Sequence, residues 1–254
     1  MSYFKYNDKQ CYYEEFGEGT PLLFLHGNTA SSRMFDGITD LYKENYKVVL
    51  IDFLGHGKSE RLERFPIDLW FDEAMQVIAF LEQMKYGKVN IIGSSGGALA
   101  GINVALERPD LVNKVIADSF EGEVPLAEFV QNIKSERELS KQDDGAKAFY
   151  IYNQGKNWEQ VVDNDTNALY EHYKTIGKFF HKSIEMLRGA ILFTGSKEDE
   201  FVTCDFYEKT YSALLKKVEN GKIHLFDKGG HPAIMSNAVE FSKVANTFLT
   251  KTNE

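Results

Sequence analysis

A chain of 254 residues can bury one substantial core, and at 43% hydrophobic and 26% charged residues it falls in the ordinary globular range, which excludes disorder and low complexity. The formal net charge of -9 argues against a nucleic-acid backbone or an anionic membrane surface as partner, since both select for excess Lys and Arg. There is no apolar leader and no run near the ~18 apolar residues of a membrane span, and Cys11 and Cys204 are too few for a disulfide framework, so a soluble cytoplasmic protein with two free thiols is expected.

In chain order, residues 11–15 and 21–25 predict strands around the turn Gly17-Glu18-Gly19, and the apolar run 47–52 predicts a strand of a parallel sheet. Asp68 is placed to cap a helix whose apolar face is Ala74, Val77, Ile78, Leu81 and Met84. Residues 89–93 then form a buried strand that breaks at Gly93-Ser94-Ser95-Gly96-Gly97 into a helix ending at Pro109, and 111–117 give another buried strand. Strands alternating with helices imply a parallel sheet with right-handed crossovers, covered on both faces.

The alternation lapses over 120–188, where helical patterns recur at 126–139, 145–152 and 165–187. It resumes with a strand at 190–193, a helix at 205–217, a strand at 222–226 and a last helix at 238–250. The lapse reads as a helical insertion. Of its aromatics (Phe120, Phe129, Phe149, Tyr150, Tyr152, Trp158, Tyr170, Tyr173, Phe179 and Phe180) most are expected to form the insertion's own core and a minority to face the ligand crevice.

Gly-x-Ser-x-Gly between a strand and a helix is the context of a nucleophile turn, and only Ser95 has glycine at both flanking positions. A serine hydroxyl needs a base, and the base needs a third group to orient it. His231 lies in the loop Gly229-Gly230-His231-Pro232 after a strand, which makes it the candidate base. The acid comes from Glu198-Asp199-Glu200, where a short side chain at a strand end favours Asp199 and leaves Glu198 as the alternative.

These residues resemble the α/β-hydrolase family. His26-Gly27-Asn28 is similar to its oxyanion loop, Asp52-x-x-Gly-x-Gly-x-Ser59 to a characteristic family segment, and Ser95, Asp199 and His231 follow the family's order. The resemblance implies an α/β-hydrolase fold: a mostly parallel eight-stranded sheet flanked by helices, with a core of 1–119 and 189–254 and a helical cap of 120–188. It further implies a serine hydrolase of carboxylesterase type that acts on a small-molecule ester through an acyl-enzyme and needs no metal or organic cofactor. The backbone N–H groups of Asn28 and Gly96 would form the oxyanion hole. Cleavage of an amide, peptide or carbon–carbon bond by the same triad, or ligand binding without catalysis, are the competing readings.

Within the family, residues 149–163 are similar to the cap of small serine hydrolases of the valacyclovir-hydrolase type. The chain departs from the family pattern at Ser94, where the residue before the nucleophile is often bulky. The acid loop is also one residue longer than usual, so that counting back from Val202 gives Asp199 and counting forward from Gly195 gives Glu198.

Three other motifs lose their sharp reading. Gly55-His56-Gly57-Lys58-Ser59 ends like a phosphate loop, but Asp52 stands where its first glycine belongs. Serine in place of an acid at the turn argues against dehalogenase or epoxide-hydrolase chemistry. The six histidines have no zinc-ligand spacing, and His26 and His56 are expected to shape loops beside the crevice.

Overall fold

The computed structural model describes residues 2–250. Eight strands form one sheet in the order β1 (Ser2–Tyr6), β2 (Lys9–Phe16), β4 (Tyr46–Ile51), β3 (Thr20–Leu25), β5 (Val89–Ser94), β6 (Val112–Asp118), β7 (Ala190–Ser196), β8 (Gly221–Phe226). β1 and β2 pair antiparallel, β2 pairs antiparallel with β4, and all other pairs are parallel. The parallel strands at the centre are buried on both faces, hence their unbroken apolar runs: Leu22 to Leu25 and Ile91-Ile92 are fully enclosed.

One face of the sheet packs on α1 (Leu69–Met84) and α2 (Gly96–Glu107), through Leu23, Leu25, Ile91 and Val115 from the strands and Val77, Leu81, Leu99 and Ile102 from the helices. The other face packs on α8 (Ala238–Thr250) and on the short turn after β3, through Phe24, Ile92, Phe35, Phe241 and Ala245. α6 (Phe206–Leu215) connects β7 to β8, and the four-residue α7 (Ala233–Ser236) follows β8. Between β6 and β7 lie α3 (Ala127–Ser140), α4 (Asp144–Gln154) and α5 (Trp158–Thr175).

The structure differs from the sequence-based expectation in three places. β1 was not foreseen; it is a short edge strand that buries only Phe4, joined to β2 by Asn7-Asp8, both at positive φ (48° and 63°), the geometry of a two-residue hairpin. The helix expected over 165–187 begins earlier, at Trp158, and ends at Thr175, because Gly177 turns left-handed (φ 69°) and its N–H returns to the His172 carbonyl. Phe179, Phe180, Ile184 and Leu187 then bury themselves from a loop and one short 3-10 turn. Asp68 does stand at the start of α1 but makes no side-chain cap; its carboxylate meets His181 Nε2 at 2.5 Å, and the His181 ring stacks on Phe71. Among the described residues no helix is long and apolar enough to cross a membrane.

Candidate active site

The turn after β5 holds Ser95 at φ 54° and ψ -119°, a conformation that L residues rarely adopt. Its N–H donates to the Asp118 carbonyl at 2.7 Å, which ties the turn to the end of β6. The flanking glycines are there for space. A Cβ on Gly93 would lie 2.2 Å from the Gly97 carbonyl oxygen, and one on Gly97 would lie 2.1 Å from that of Leu25. Gly96 opens α2, where an N–H has no intrahelical partner and the helix dipole favours negative charge.

His231 follows β8, and its Nδ1 lies 2.8 Å from Asp199 Oδ2. That oxygen also accepts from the Tyr207 hydroxyl at 2.7 Å, while Oδ1 accepts from the Phe201 N–H at 3.0 Å. Burial works to raise the Asp199 carboxyl, but His231, Tyr207 and the Phe201 N–H outweigh it and hold the group below the usual carboxylate range. The neighbouring acids do not meet the histidine ring. Glu198 is exposed and accepts only from the Gly229 N–H at 3.4 Å, and Glu200 accepts from the backbone N–H of His231 at 2.9 Å. Of the two acids left open by the loop count, Asp199 is the one that the histidine ring meets.

Ser95 and His231 face a single cavity of about 460 Å³. Among the described residues no hydrogen bond joins Ser95 Oγ to His231, a looseness common before substrate enters. The Asn28 N–H, next to the turn, is likewise unused within the described residues. Ser94 is buried at the cavity wall and its hydroxyl has no partner among the described residues.

Four of the ten insertion aromatics (Phe120, Phe129, Phe149 and Tyr150) line this cavity. Trp158 instead stacks behind Tyr150, with rings 12° apart in plane. Phe201 also reaches the cavity and meets the His231 ring edge-on at 5.1 Å. Glu121 stands at the wall with Oε2 held by the Leu126 N–H at 2.8 Å, and burial pushes its carboxyl up to about 7.

Two residues near the site went unread in the sequence. Asp118, fully buried at the end of β6, accepts from the Ile234 N–H at 3.0 Å, and Ser119 Oγ accepts from the Ala233 N–H at 3.0 Å. Together they anchor the chain just after His231. Burial pushes the Asp118 carboxyl up to about 6 despite these bonds. The available signal was an acid closing the apolar run Val115-Ile116-Ala117. His26 and His56 lie buried under the loops, where His26 donates from Nδ1 to the Gly27 carbonyl and accepts the Phe53 N–H at Nε2, a pairing that assigns its tautomer.

A family model described as the alpha/beta hydrolase fold matches residues 20–177. The chain is 24% identical over 256 residues to human "Serine hydrolase BPHL", with 96% of this chain and 84% of that protein covered. It is 31% identical over 110 residues to an (E)-2-((N-methylformamido)methylene)succinate hydrolase of Acinetobacter baylyi, covering 43% of this chain and 41% of that one. In three dimensions it is similar to an esterase of Exiguobacterium antarcticum, with a TM-score of 0.79 at 17% identity over 98% of this chain and 99% of the other. With the strand order, the serine turn and a family match across more than half its length, the chain belongs to the α/β-hydrolase fold family.

Proposed function

We propose that the protein is a serine hydrolase of small carboxylic esters, with residues 120–188 serving as a cap over residues 1–119 and 189–254. The observation that carries this reading is His231, held by Asp199 at 2.8 Å and facing Ser95 across one cavity, with the unused Asn28 and Gly96 N–H groups beside it. Ser95 Oγ attacks the ester carbonyl while His231 takes its proton, and the imidazolium is stabilised by Asp199. The developing oxyanion accepts from the Asn28 and Gly96 N–H groups, each donor of this kind contributing about 3 kcal/mol at the transition state. The proton then passes from His231 to the leaving alcohol. Water, deprotonated in turn by His231, releases the acid and restores Ser95. The largely aromatic and aliphatic cavity wall supports an uncharged acyl group over a strongly hydrated one.

A fluorophosphonate probe tests the reading: the native chain becomes labelled, Ser95→Ala does not, and equal labelling of the two would refute the nucleophile. Aryl esters of graded acyl length, run beside the corresponding amides, then separate ester from amide cleavage. Asp199→Asn should lower kcat on the best ester by about 10⁴-fold. Glu198→Gln should stay within about threefold of the native value, since its carboxylate touches only the exposed Gly229 N–H. A larger loss from the Glu198 change would move the acid's role to that residue.

A further inference from the structure

The loop that carries Asn28 is held in shape by side chains of the cap. Gln154 Nε2 donates to the carbonyls of Thr29 and Ala30 at 2.9 and 2.7 Å, and Asn153 Oδ1 accepts the Ser31 N–H at 2.9 Å. Within the loop itself the Ala30 N–H reaches the Gly27 carbonyl at 3.2 Å, and Thr29 sits at φ 58°, where a β-branched residue is strained. The Asn28 side chain is gripped from both sides. Its Nδ2 donates to Asp165 Oδ2 at 2.6 Å, and its Oδ1 accepts from Trp70 Nε1 at 3.2 Å. Asp165 is wholly buried on α5, and its other oxygen lies 3.4 Å from Arg137 of α3. Arg137 also donates to Tyr150 and to Thr29 Oγ1.

A fully buried carboxylate is costly unless its bonds do something an apolar residue could not. Among the described residues its one neutral side-chain partner is Asn28, whose backbone N–H is the proposed oxyanion donor. We infer that Asp165 is a positioning residue: by fixing the Asn28 side chain between itself and Trp70, it aims the Asn28 N–H into the crevice, so that hydrolysis depends on this one side chain of α5. The inference rests on the serine-hydrolase reading of the same site.

The test uses steady-state kinetics on an aryl ester with the full chain. Asp165→Ala should lower kcat roughly 10- to 100-fold with KM changed by less than about threefold, because a donor displaced by a fraction of an ångström is lost mainly at the transition state. Asp165→Asn, which can still accept from Asn28, should recover at least about tenfold of that loss where the loss is large. Val162→Ala serves as the structural control, since it weakens the cap's packing around Tyr150 and Trp158 without touching Asn28. It should lower the melting temperature and leave kcat within about twofold.

Should Asp165→Ala fail to fold, Asp165→Leu, which fills the space but cannot accept from Asn28, takes its place alone and combined with Asn28→Ala: the double variant should be no slower than the slower single one. Native kcat in Asp165→Ala, a rise in KM alone, a kcat loss matched by Val162→Ala, or additive losses in the double variant would overturn the role of Asp165 while leaving the hydrolase reading intact. Absence of any Ser95-dependent turnover in the native chain would overturn both.

Discussion

Ser95 and Asn28 face one crevice from the ends of neighbouring strands, β5 and β3, yet their turns are shaped by different means. At Ser95 the shape comes from missing atoms: Gly93, Gly96 and Gly97 let backbone and the Asn28 side chain pass where any Cβ would collide. At Asn28 the shape comes from added atoms, polar side chains of Asn153, Gln154 and Asp165 that lie more than 120 positions further along the chain. The first device stays within the sheet core and is rigid. The second makes half of the proposed oxyanion hole depend on a separate layer of helices.

Gly97→Ala is the most damaging way to break the comparison on the rigid side. Its new Cβ would lie 2.1 Å from the Leu25 carbonyl oxygen and 2.6 Å from that of His26, both backbone atoms of the buried β3 end, so neither can swing aside. The expected cost is about 3 kcal/mol or more, read as a lowered midpoint in urea denaturation, together with loss of the proposed esterase activity. Since the obstructed strand also leads into the Asn28 loop, both halves of the site should fail together. A stable, active Gly97→Ala would show that the turn has slack the steric argument denies it.

The same contrast explains what could be read from the sequence. The serine turn was legible because its pattern lies within five residues, although the atoms its glycines make room for include the Leu25 and His26 carbonyls and the Asn28 side chain of the neighbouring strand's end. The His231 loop was legible because glycines and a proline after a strand keep the histidine off a helix face. The acid loop was legible to within one residue of the carboxylate that meets His231; Asp199 is buried against the ring, Glu198 is exposed, and Glu200 reaches the His231 backbone instead, and no local count reveals that. Asp165 was illegible. On a helix it reads as a polar position one turn from Val162 and Leu169, and only the arrival of Asn28 from 137 residues away makes it a buried partner. The early end of α5 did have a sign, Gly177, but helical patterning continues past it in Phe179, Phe180 and Ile184, whose burial comes from tertiary packing.

The smallest expected effect separates the two turns by pH. His56 is buried under the Asn28 side of the site, its ring between His26 at 5.1 Å and Phe65 at 4.7 Å, and neither ring nitrogen has a partner among the described residues. Burial, with His26 and Arg61 adding to it, holds its pKa well below the ordinary histidine value. The unfolded chain therefore takes up a proton there near pH 6.5 while the folded chain does not, so stability is unaffected above that pH and is lost below it, by about 1.4 kcal/mol per pH unit. Asp118 and Glu121, raised by burial to about 6 and about 7, act in the opposite direction, since the folded state binds their protons first and gains stability on acidification. The slope of the native protein mixes both signs, and a difference between variants isolates one. Urea denaturation of His56→Phe against the native chain should give a difference that is constant from pH 7 to 8 and shifts in favour of the variant by about 1 kcal/mol by pH 5.5. Ser94→Ala, an uncharged change on the glycine-built side, should give a difference from native that stays flat across the same range. A flat difference for His56→Phe as well would mean that the folded loop accepts the proton.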